Sequence, residues 1–275
     1  MYFAEAVTRY NNEKFDKKSI ANDQYYFAEL MPFFGDRTLD QIDMNALWPY
    51  IHYRRSTVKN STINRELEVV RHILNLAKKE WCRLETVPYI RMLKEPPPRV
   101  RFLSRREADR LMLALPPHLQ PVVQYAIATG CRASEILSLE WSRVDLDRKV
   151  AWLDHGTTKN GHARGIPLNN DAMISLSLAK AHGCHCRYVF TYCGQKMGSV
   201  GSAWRRALKR ADINDFRFHD LRHTFASWHV MAGTSLIELM ELGGWKTIDC
   251  VLRYAHLAPC HLSAAASRIE SIKPN

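Results

Sequence analysis

The sequence predicts a mainly α protein with a small β-sheet, in which a helical N-terminal domain precedes an α+β domain. Apolar residues recur at helical spacing through most of the 275-residue chain. Three consecutive prolines in residues 94–101, KEPPPRVR, lack amide donors and force extended backbone between helical patterns. Apolar residues also flank Asn160-Gly161, a dipeptide typical of hairpin turns. We therefore expect a helical domain over residues 1–93, a linker over 94–101 and a second domain over 102–275.

The composition is that of a globular, basic protein. Hydrophobic residues make up 46% and charged residues 24% of the chain. The 39 lysines and arginines exceed the 28 acidic residues, so the formal net charge is +11 and a polyanionic partner is expected. Charge alone leaves DNA, RNA and an anionic membrane open. Because the N-terminus has no apolar signal region and the cysteines number seven, an odd count spread along the chain, we expect a cytoplasmic protein.

The N-terminal domain contains one strongly periodic helix, predicted after Asn60 and Ser61 as its candidate N-cap residues. Its apolar face is formed by Ile63, Leu67, Val70, Leu74 and Ala77. Its other faces carry the candidate DNA-binding residues Arg65, Arg71, Lys78 and Lys79. These four residues form either a solvated charged face or a surface that lies on DNA phosphates.

The second domain begins with Ser104 and Glu107, which form a capping-box pattern before an apolar run. Apolar residues on both sides of the Asn-Gly turn predict two strands within residues 150–168, and Lys159 lies at that turn. Residues 188–192, YVFTY, predict a further short strand. The cysteines and histidines around this strand lack the spacing of a zinc finger, so no metal is expected.

Three later segments carry candidate catalytic residues. Arg132 follows a helix-ending Thr-Gly pair and precedes a helix that buries Ile136, Leu137 and Leu139. In residues 217–233, the helical apolar stripe consists of Leu221, Phe225, Trp228 and Ala232, and the opposite side carries His219, Arg222 and His223. Near the C-terminus, Tyr254 lies on the flank of a stripe formed by Ile248, Val251, Leu252 and Ala255.

Together these segments resemble the catalytic domain of the tyrosine recombinase, or phage integrase, family. The resemblance rests on the order and spacing of five signals over most of residues 102–260. They are Arg132 with Glu135, Lys159 in the hairpin, the box His219 to Arg222 and His223, Trp245 in LGGW, and Tyr254 in RYAH. Residues 1–93 resemble the helical, SAM-like core-binding domain more loosely. The resemblance implies a site-specific DNA recombinase acting in integration or excision.

The chemistry of this family requires these residue types. Arg132 and Arg222 would stabilise the charge that gathers on phosphate oxygens in the transition state. Tyr254 would be the nucleophile, forming a 3′-phosphotyrosyl intermediate, with His219 as its base. Lys159 would protonate the departing 5′ oxygen, and Trp245 would donate its indole N–H to the phosphate. Since the covalent intermediate conserves the energy of the broken bond, neither a cofactor nor ATP is expected.

The resemblance also implies partners and leaves alternatives. Double-stranded DNA with specific recombination sites is the expected substrate, bound by a homo-tetramer with possible accessory DNA-bending proteins. The chain starts too late to hold the arm-binding domain that many phage integrases carry, so arm-site binding is not expected of it, and a simpler Xer-like or transposon-type enzyme and a truncated one both stay open. A type IB topoisomerase uses similar residues, and a non-catalytic DNA-binding regulator with the same fold is the alternative outside enzymes. The C-terminal apolar stripe of Leu262, Ala265, Ala266 and Ile269 either packs on its own domain or, as the resemblance implies, docks on a neighbouring subunit with Leu262 and Ile269 as the anchors.

Overall fold

A computed structural model describes residues 1–97, 99–153, 164–183, 185–258 and 267. The chain divides into two compact units, Met1–Pro98 and Arg99–Asn275. This division falls within the proline-containing segment 94–101. Among the described residues both units are mainly helical and the strands belong to the second, so the predicted fold class is confirmed. No helix in the described ranges is both long and apolar enough to cross a bilayer.

The first unit packs its helices around a core of its own. Its helices are α1 (Phe3–Glu13), α2 (Ile20–Phe34), α3 (Met44–Arg55) and α4 (Asn60–Lys79). The predicted apolar face of α4 is confirmed, since all five of its residues are fully buried. The N-cap residue is Lys59, whose side chain makes no capping bond, so the assignment of the cap to Asn60 or Ser61 was wrong by one or two residues. Both residues instead lie in the first helical turn.

A buried ion pair joins two helices of this unit. Arg54 of α3 donates from Nη2 to Oε1 of Glu66 in α4 at 2.5 Å, and Glu66 is completely buried. The Tyr50 hydroxyl donates to the same carboxylate at 2.8 Å. These bonds satisfy a carboxylate that would otherwise be costly to bury.

The second unit surrounds a small sheet with helices. Its helices are α5 (Arg105–Ala114), α6 (Gln120–Thr129), α7 (Ala133–Leu137), α8 (Asn170–His182), α9 (Gly201–Arg210), α10 (Asp220–Met231), α11 (Leu236–Gly243) and α12 (Asp249–Leu252). Its strands are β1 (Val144–Asp145), β2 (Val150–Leu153), β3 (Arg164–Pro167), β4 (Thr191–Tyr192) and β5 (Gln195–Lys196). The capping box of Ser104 and Glu107 is confirmed at the start of α5.

The predicted hairpin strands are confirmed as β2 and β3. They pair antiparallel, with Ala151 opposite Ile166 and Leu153 opposite Arg164, and β1 adds a third strand beside β2. The turn itself, with Lys159, Asn160 and Gly161, lies outside the described residues. The hairpin therefore emerges from the sheet at the Leu153–Arg164 pair.

The strand predicted over residues 188–192 is shorter than expected. Only Thr191 and Tyr192 belong to β4, while Tyr188 forms a single bridge with Glu140. Val189 and Phe190, the apolar centre of the segment, are buried in the core of the unit. Burial of these two side chains, rather than strand pairing, accounts for the apolar pattern.

Helix α10 is enclosed on more sides than its sequence pattern indicates. Leu221 and Phe225 are buried as predicted, but Ala232 lies beyond the helix end and is exposed. The opposite side is not a solvated basic face, because Arg222 is only 4% exposed. The reason is that α10 packs on α6 as well as on α11 and the turn after α12.

The stripe predicted near the C-terminus is wrong. Ile248 and Leu252 are 40% and 48% exposed, whereas Val251 and Tyr254 are buried. Helix α12 is a single turn, so the segment does not present a continuous helical face over residues 248–255. Leu262 and Ile269 of the predicted tail stripe lie outside the described residues.

Candidate active site

Arg132 is held at the junction between α6 and α7. Helix α6 ends on Gly130, which adopts a left-handed conformation (φ 64°), and Arg132 then caps α7. Its Nη1 donates to Oε1 of Glu135 at 2.7 Å, and its backbone N–H donates to Oε2 at 2.8 Å. Since Glu135 is only 1% exposed, this buried carboxylate fixes the arginine in one orientation.

Arg222 enters the same region from α10. Its Nη1 donates to the carbonyl of Gly130 at 2.6 Å, which ties α10 to the end of α6. Its Nη2 is buried and has no hydrogen-bond partner among the described residues. Burial, followed by the neighbouring charges of Arg132 and Arg164, lowers the pKa of Arg222 to about 10. A buried cationic donor without a partner is costly, so an anionic acceptor would be favoured at this point.

Trp245 stacks on this arginine. The Arg222 guanidinium carbon lies 3.9 Å from the centroid of the Trp245 ring, a cation–π contact. Gly243 leaves room for the indole in this position, since a Cβ atom on residue 243 would lie only 1.8 Å from the Trp245 ring. The ring centroids of Trp245 and Tyr254 are 6.2 Å apart. Trp245 thus lies beside Arg222 and Tyr254, two of the predicted catalytic residues.

Tyr254 is buried and hydrogen-bonded to His223. Its hydroxyl lies 2.5 Å from Nδ1 of His223, and the residue is 1% exposed. Burial raises the pKa of Tyr254 to about 12, although the positive charges of Arg253 and Arg222 oppose this shift. Burial, with a smaller effect of His219, lowers the pKa of His223 to about 4. At neutral pH the phenol is therefore protonated beside a neutral imidazole.

The predicted base, His219, is not the histidine that contacts Tyr254. His219 precedes α10 and is exposed, and its ring centroid lies 5.6 Å from that of His223. The geometry favours His223 over His219 as the group that receives the Tyr254 proton. Lys159 lies outside the described residues. Among the residues that are described, no three His, Cys, Asp or Glu side chains gather in a way that would hold a metal ion.

The candidate DNA-binding residues of the first unit are all exposed on α4. Arg65 forms an ion pair with Glu68 at 2.7 Å. Arg71 and Lys78 are seven positions apart, which places them on one face of the helix. Lys79 lies next to this face. Exposure makes these side chains available to phosphates without assigning them to that role.

Two residues of the site were missed as contributors. The sequence places His223 in the second box beside Arg222, but the base expected from the resemblance is His219. The contact of His223 with Tyr254 spans 31 positions and has no local signal. Arg164, on β3, lies 3.6 Å from Glu135 between Nη2 and Oε2. The one feature of the sequence that indicates Arg164 is the basic segment HARG at residues 162–165.

The assembled geometry defines a class of enzyme. Arg132, from the start of α7, and Arg222, from α10, lie near each other, and Nη2 of Arg222 is buried without a partner among the described residues. Beside them lies a tyrosine hydroxyl with a neutral histidine as hydrogen-bond partner. Such a grouping is suited to phosphoryl transfer, in which the arginines bind the phosphate and the tyrosine attacks it.

Comparison with known proteins gives the family. The model of the phage integrase family matches residues 101–261. The chain is 35% identical to the integrase of Salmonella phage P22, over 99% of this chain and 80% of that protein. It is 33% identical to the shufflon-specific DNA recombinase of Escherichia coli, over 73% of this chain and 52% of that protein. The chain belongs to the phage integrase family of tyrosine-type site-specific recombinases.

Solved structures share the fold at low sequence identity. The Tn1549 transposon integrase in complex with a circular intermediate DNA superposes with a TM-score of 0.82 and 15% identity, over 99% of this chain and 100% of that one. A lambda integrase dimer bound to a COC′ core site superposes with a TM-score of 0.77 and 17% identity, over 91% of this chain and 97% of that one. The helical first unit is included in both matches.

Proposed function

We propose that this chain is an integrase that cuts double-stranded DNA at specific sites and rejoins the strands through a covalent bond between Tyr254 and a 3′ phosphate. The observation that carries the proposal is the buried Nη2 of Arg222, which has no partner in the described part of the chain, beside the hydrogen-bonded Tyr254. A phosphodiester oxygen would satisfy that donor and place the phosphorus near the phenol. The relatives named as integrases and recombinases, and the solved integrases bound to DNA, support this substrate.

The reaction balances within the site. The Tyr254 oxygen attacks phosphorus while its proton moves to Nδ1 of His223, and the bond to the 5′ oxygen breaks. Lys159 is proposed to protonate that leaving oxygen, and His219 to contribute a further donor to the phosphate. In the reverse direction a 5′ hydroxyl of the other duplex attacks the phosphotyrosine, and Tyr254 recovers its proton. The number of phosphate ester bonds is unchanged, so no external energy source is required.

Arg132, Arg222 and Trp245 are proposed to bind the phosphate throughout this cycle. The guanidiniums of Arg132 and Arg222 favour the phenolate and the negative phosphate opposes it, so Tyr254, whose pKa is raised at rest, is proposed to lose its proton to His223 as it attacks rather than beforehand. The His223 imidazole, with its pKa held low by burial, remains an available acceptor. The resting protein thus holds its nucleophile protonated until substrate is in place.

The larger assembly is also a proposal. We propose that residues 1–93 form a DNA-binding domain, with Arg65, Arg71, Lys78 and Lys79 on phosphates, and that four chains act together on two sites. Strand exchange between two duplexes requires four cuts, which four copies of a single-tyrosine site would supply. Accessory DNA-bending proteins and docking of the C-terminal segment on a neighbouring subunit belong to the same proposal.

Covalent trapping on DNA tests the function. A nicked suicide duplex loses the short 5′ hydroxyl fragment after cleavage, so the covalent complex accumulates. We expect the wild-type protein to form this complex on DNA carrying its attachment site, Tyr254→Phe to form none while binding the DNA, and the exposed-residue control Tyr192→Phe to react normally. Equal trapping by Tyr254→Phe would refute the proposed function.

A further inference from the structure

Arg164 is the first residue of β3 and lies directly opposite Leu153, where the hairpin leaves the sheet. Its side chain is only 15% exposed. Nη1 donates to the backbone carbonyl of Leu242 at 2.7 Å, 78 positions along the chain. Nη2 lies 3.6 Å from Oε2 of Glu135 and 3.9 Å from Sγ of Cys131. Both terminal nitrogens therefore face protein groups, which indicates a role through neighbouring residues rather than through direct DNA contact.

The contact with Leu242 completes the end of α11. The last carbonyl groups of a helix lack partners within the helix and need other donors. The carbonyls of Met240 and Glu241 accept from the backbone N–H groups of Trp245 and Gly244. Arg164 supplies the donor for Leu242, and a cation is also favourable at a helix C-terminus.

The turn after α11 fits closely over this arginine. Gly244 has a φ of +65°, and a Cβ atom there would lie 2.8 Å from Cδ, Nε and Cζ of Arg164. The Gly243-Gly244 backbone thus lies against the guanidinium of Arg164, and the next residue, Trp245, stacks on Arg222. A chain of contacts leads from Arg164 through the Leu242 carbonyl to the indole. The same guanidinium faces Glu135, the carboxylate that orients Arg132.

We propose that Arg164 is a positioning residue for DNA cleavage, which holds the turn from Leu242 to Trp245 so that the indole stacks on Arg222. The proposal rests on the function proposed above. It places Arg164 behind the phosphate-binding residues, at the point where the start of β3 meets the turn that contains Trp245.

The test combines a rate with a spectroscopic signal. Arg164→Gln removes the charge and the paired donors, and Arg164→Lys retains the charge and one donor group. Arg148→Gln is the matched control, since Arg148 lies at the β1–β2 turn of the same sheet with a side chain 80% exposed. Each protein is assayed for single-turnover trapping at saturating suicide DNA and for the indole N–H resonances of the DNA-free protein. Trp245→Phe assigns the resonance of Trp245.

We expect Arg164→Gln to slow trapping at least about 10-fold at saturating DNA, because small displacements of reacting groups are costly in rate. The Trp245 resonance should shift while that of Trp204, buried elsewhere in the unit, stays in place. Arg164→Lys should fall between the wild-type protein and Arg164→Gln in both measurements, and Arg148→Gln should match the wild type.

Unchanged trapping by Arg164→Gln would overturn the proposal, as would slow trapping with an unmoved Trp245 resonance. If Arg164→Gln also shifts the Trp204 resonance, the fold of the variant is affected. The trapping rate and the Trp245 resonance of Arg164→Lys then decide the outcome. Absence of trapping by the wild-type protein would count against the proposed function. In that case, a Trp245 resonance that does not move in Arg164→Gln would still refute the proposed link between Arg164 and the position of the indole.

Discussion

At the scale of single residues, the hydrogen bond between Tyr254 and His223 is the reason why we propose His223, rather than His219, as the base. The sequence supplied every residue type of the site, because Arg132, Arg222 and Tyr254 occur in recognisable local segments. It did not supply the pairing of Tyr254 with His223, since that contact depends on how the turn after α12 packs on α10. Local periodicity also placed Tyr254 at the edge of a stripe, whereas tertiary packing buries it.

The two arginines should be needed for cleavage rather than for DNA affinity. We expect Arg132→Ala and Arg222→Ala each to slow single-turnover trapping by more than about 10²-fold, the scale for removing one donor to a developing oxyanion. Single-turnover rates at saturating DNA measure this effect, with Arg148→Ala as the exposed control. Rates within a few fold of the wild type would place both arginines outside the reacting centre.

His223 should make stability depend on pH. Its pKa is about 4 in the folded protein against an ordinary value of 6.5, so the unfolded chain binds more protons between these values. The unfolding free energy should therefore fall as pH decreases from 6.5 towards 4, and this part of the fall should be absent in His223→Gln. Urea unfolding of both proteins over this pH range measures the difference. Identical pH dependence would show that His223 titrates normally.

At the scale of elements, hydrogen bonds between distant segments determine how the site is supported. The α10–α6 contact uses the Gly130 carbonyl, and the β3–α11 contact uses the Leu242 carbonyl. Neither was predictable from periodicity, because backbone acceptors have no sequence signature. The helices α4 and α5 and the strands β2 and β3 were predictable, since capping residues and apolar patterns are local.

Helix packing in the first unit should depend on Glu66. Glu66→Ala removes the closest carboxylate of the buried Arg54 and leaves it the pair with Glu29 at 2.9 Å, so we expect a loss of about 3 kcal/mol in unfolding free energy, the low end for breaking a buried ion pair. Glu68→Ala, which removes the exposed pair with Arg65, should cost about 0–1 kcal/mol. Urea unfolding followed by circular dichroism compares the two variants. Equal losses would show that the buried pair contributes no more than a surface pair.

At the scale of the whole molecule, the positive net charge of +11 should control DNA binding through counterion release. The logarithm of the binding constant should fall linearly with the logarithm of salt concentration, with a slope of about −0.9 per phosphate contacted. Arg71→Ala and Lys78→Ala should each reduce the magnitude of this slope by about one and weaken specific and non-specific binding alike. Fluorescence anisotropy over a salt series provides the slope, and unaltered slopes would remove these residues from the DNA surface.

The most direct measurement identifies the atom that becomes bonded to DNA. The protein is trapped on a nicked suicide duplex, digested with nuclease and protease, and its peptides are sequenced by mass spectrometry. The account predicts that the residual nucleotide is attached to the peptide containing Tyr254 and that fragmentation places its mass on that residue. Attachment to any other residue, or a trapped complex in Tyr254→Phe, would contradict the assignment of Tyr254 as nucleophile.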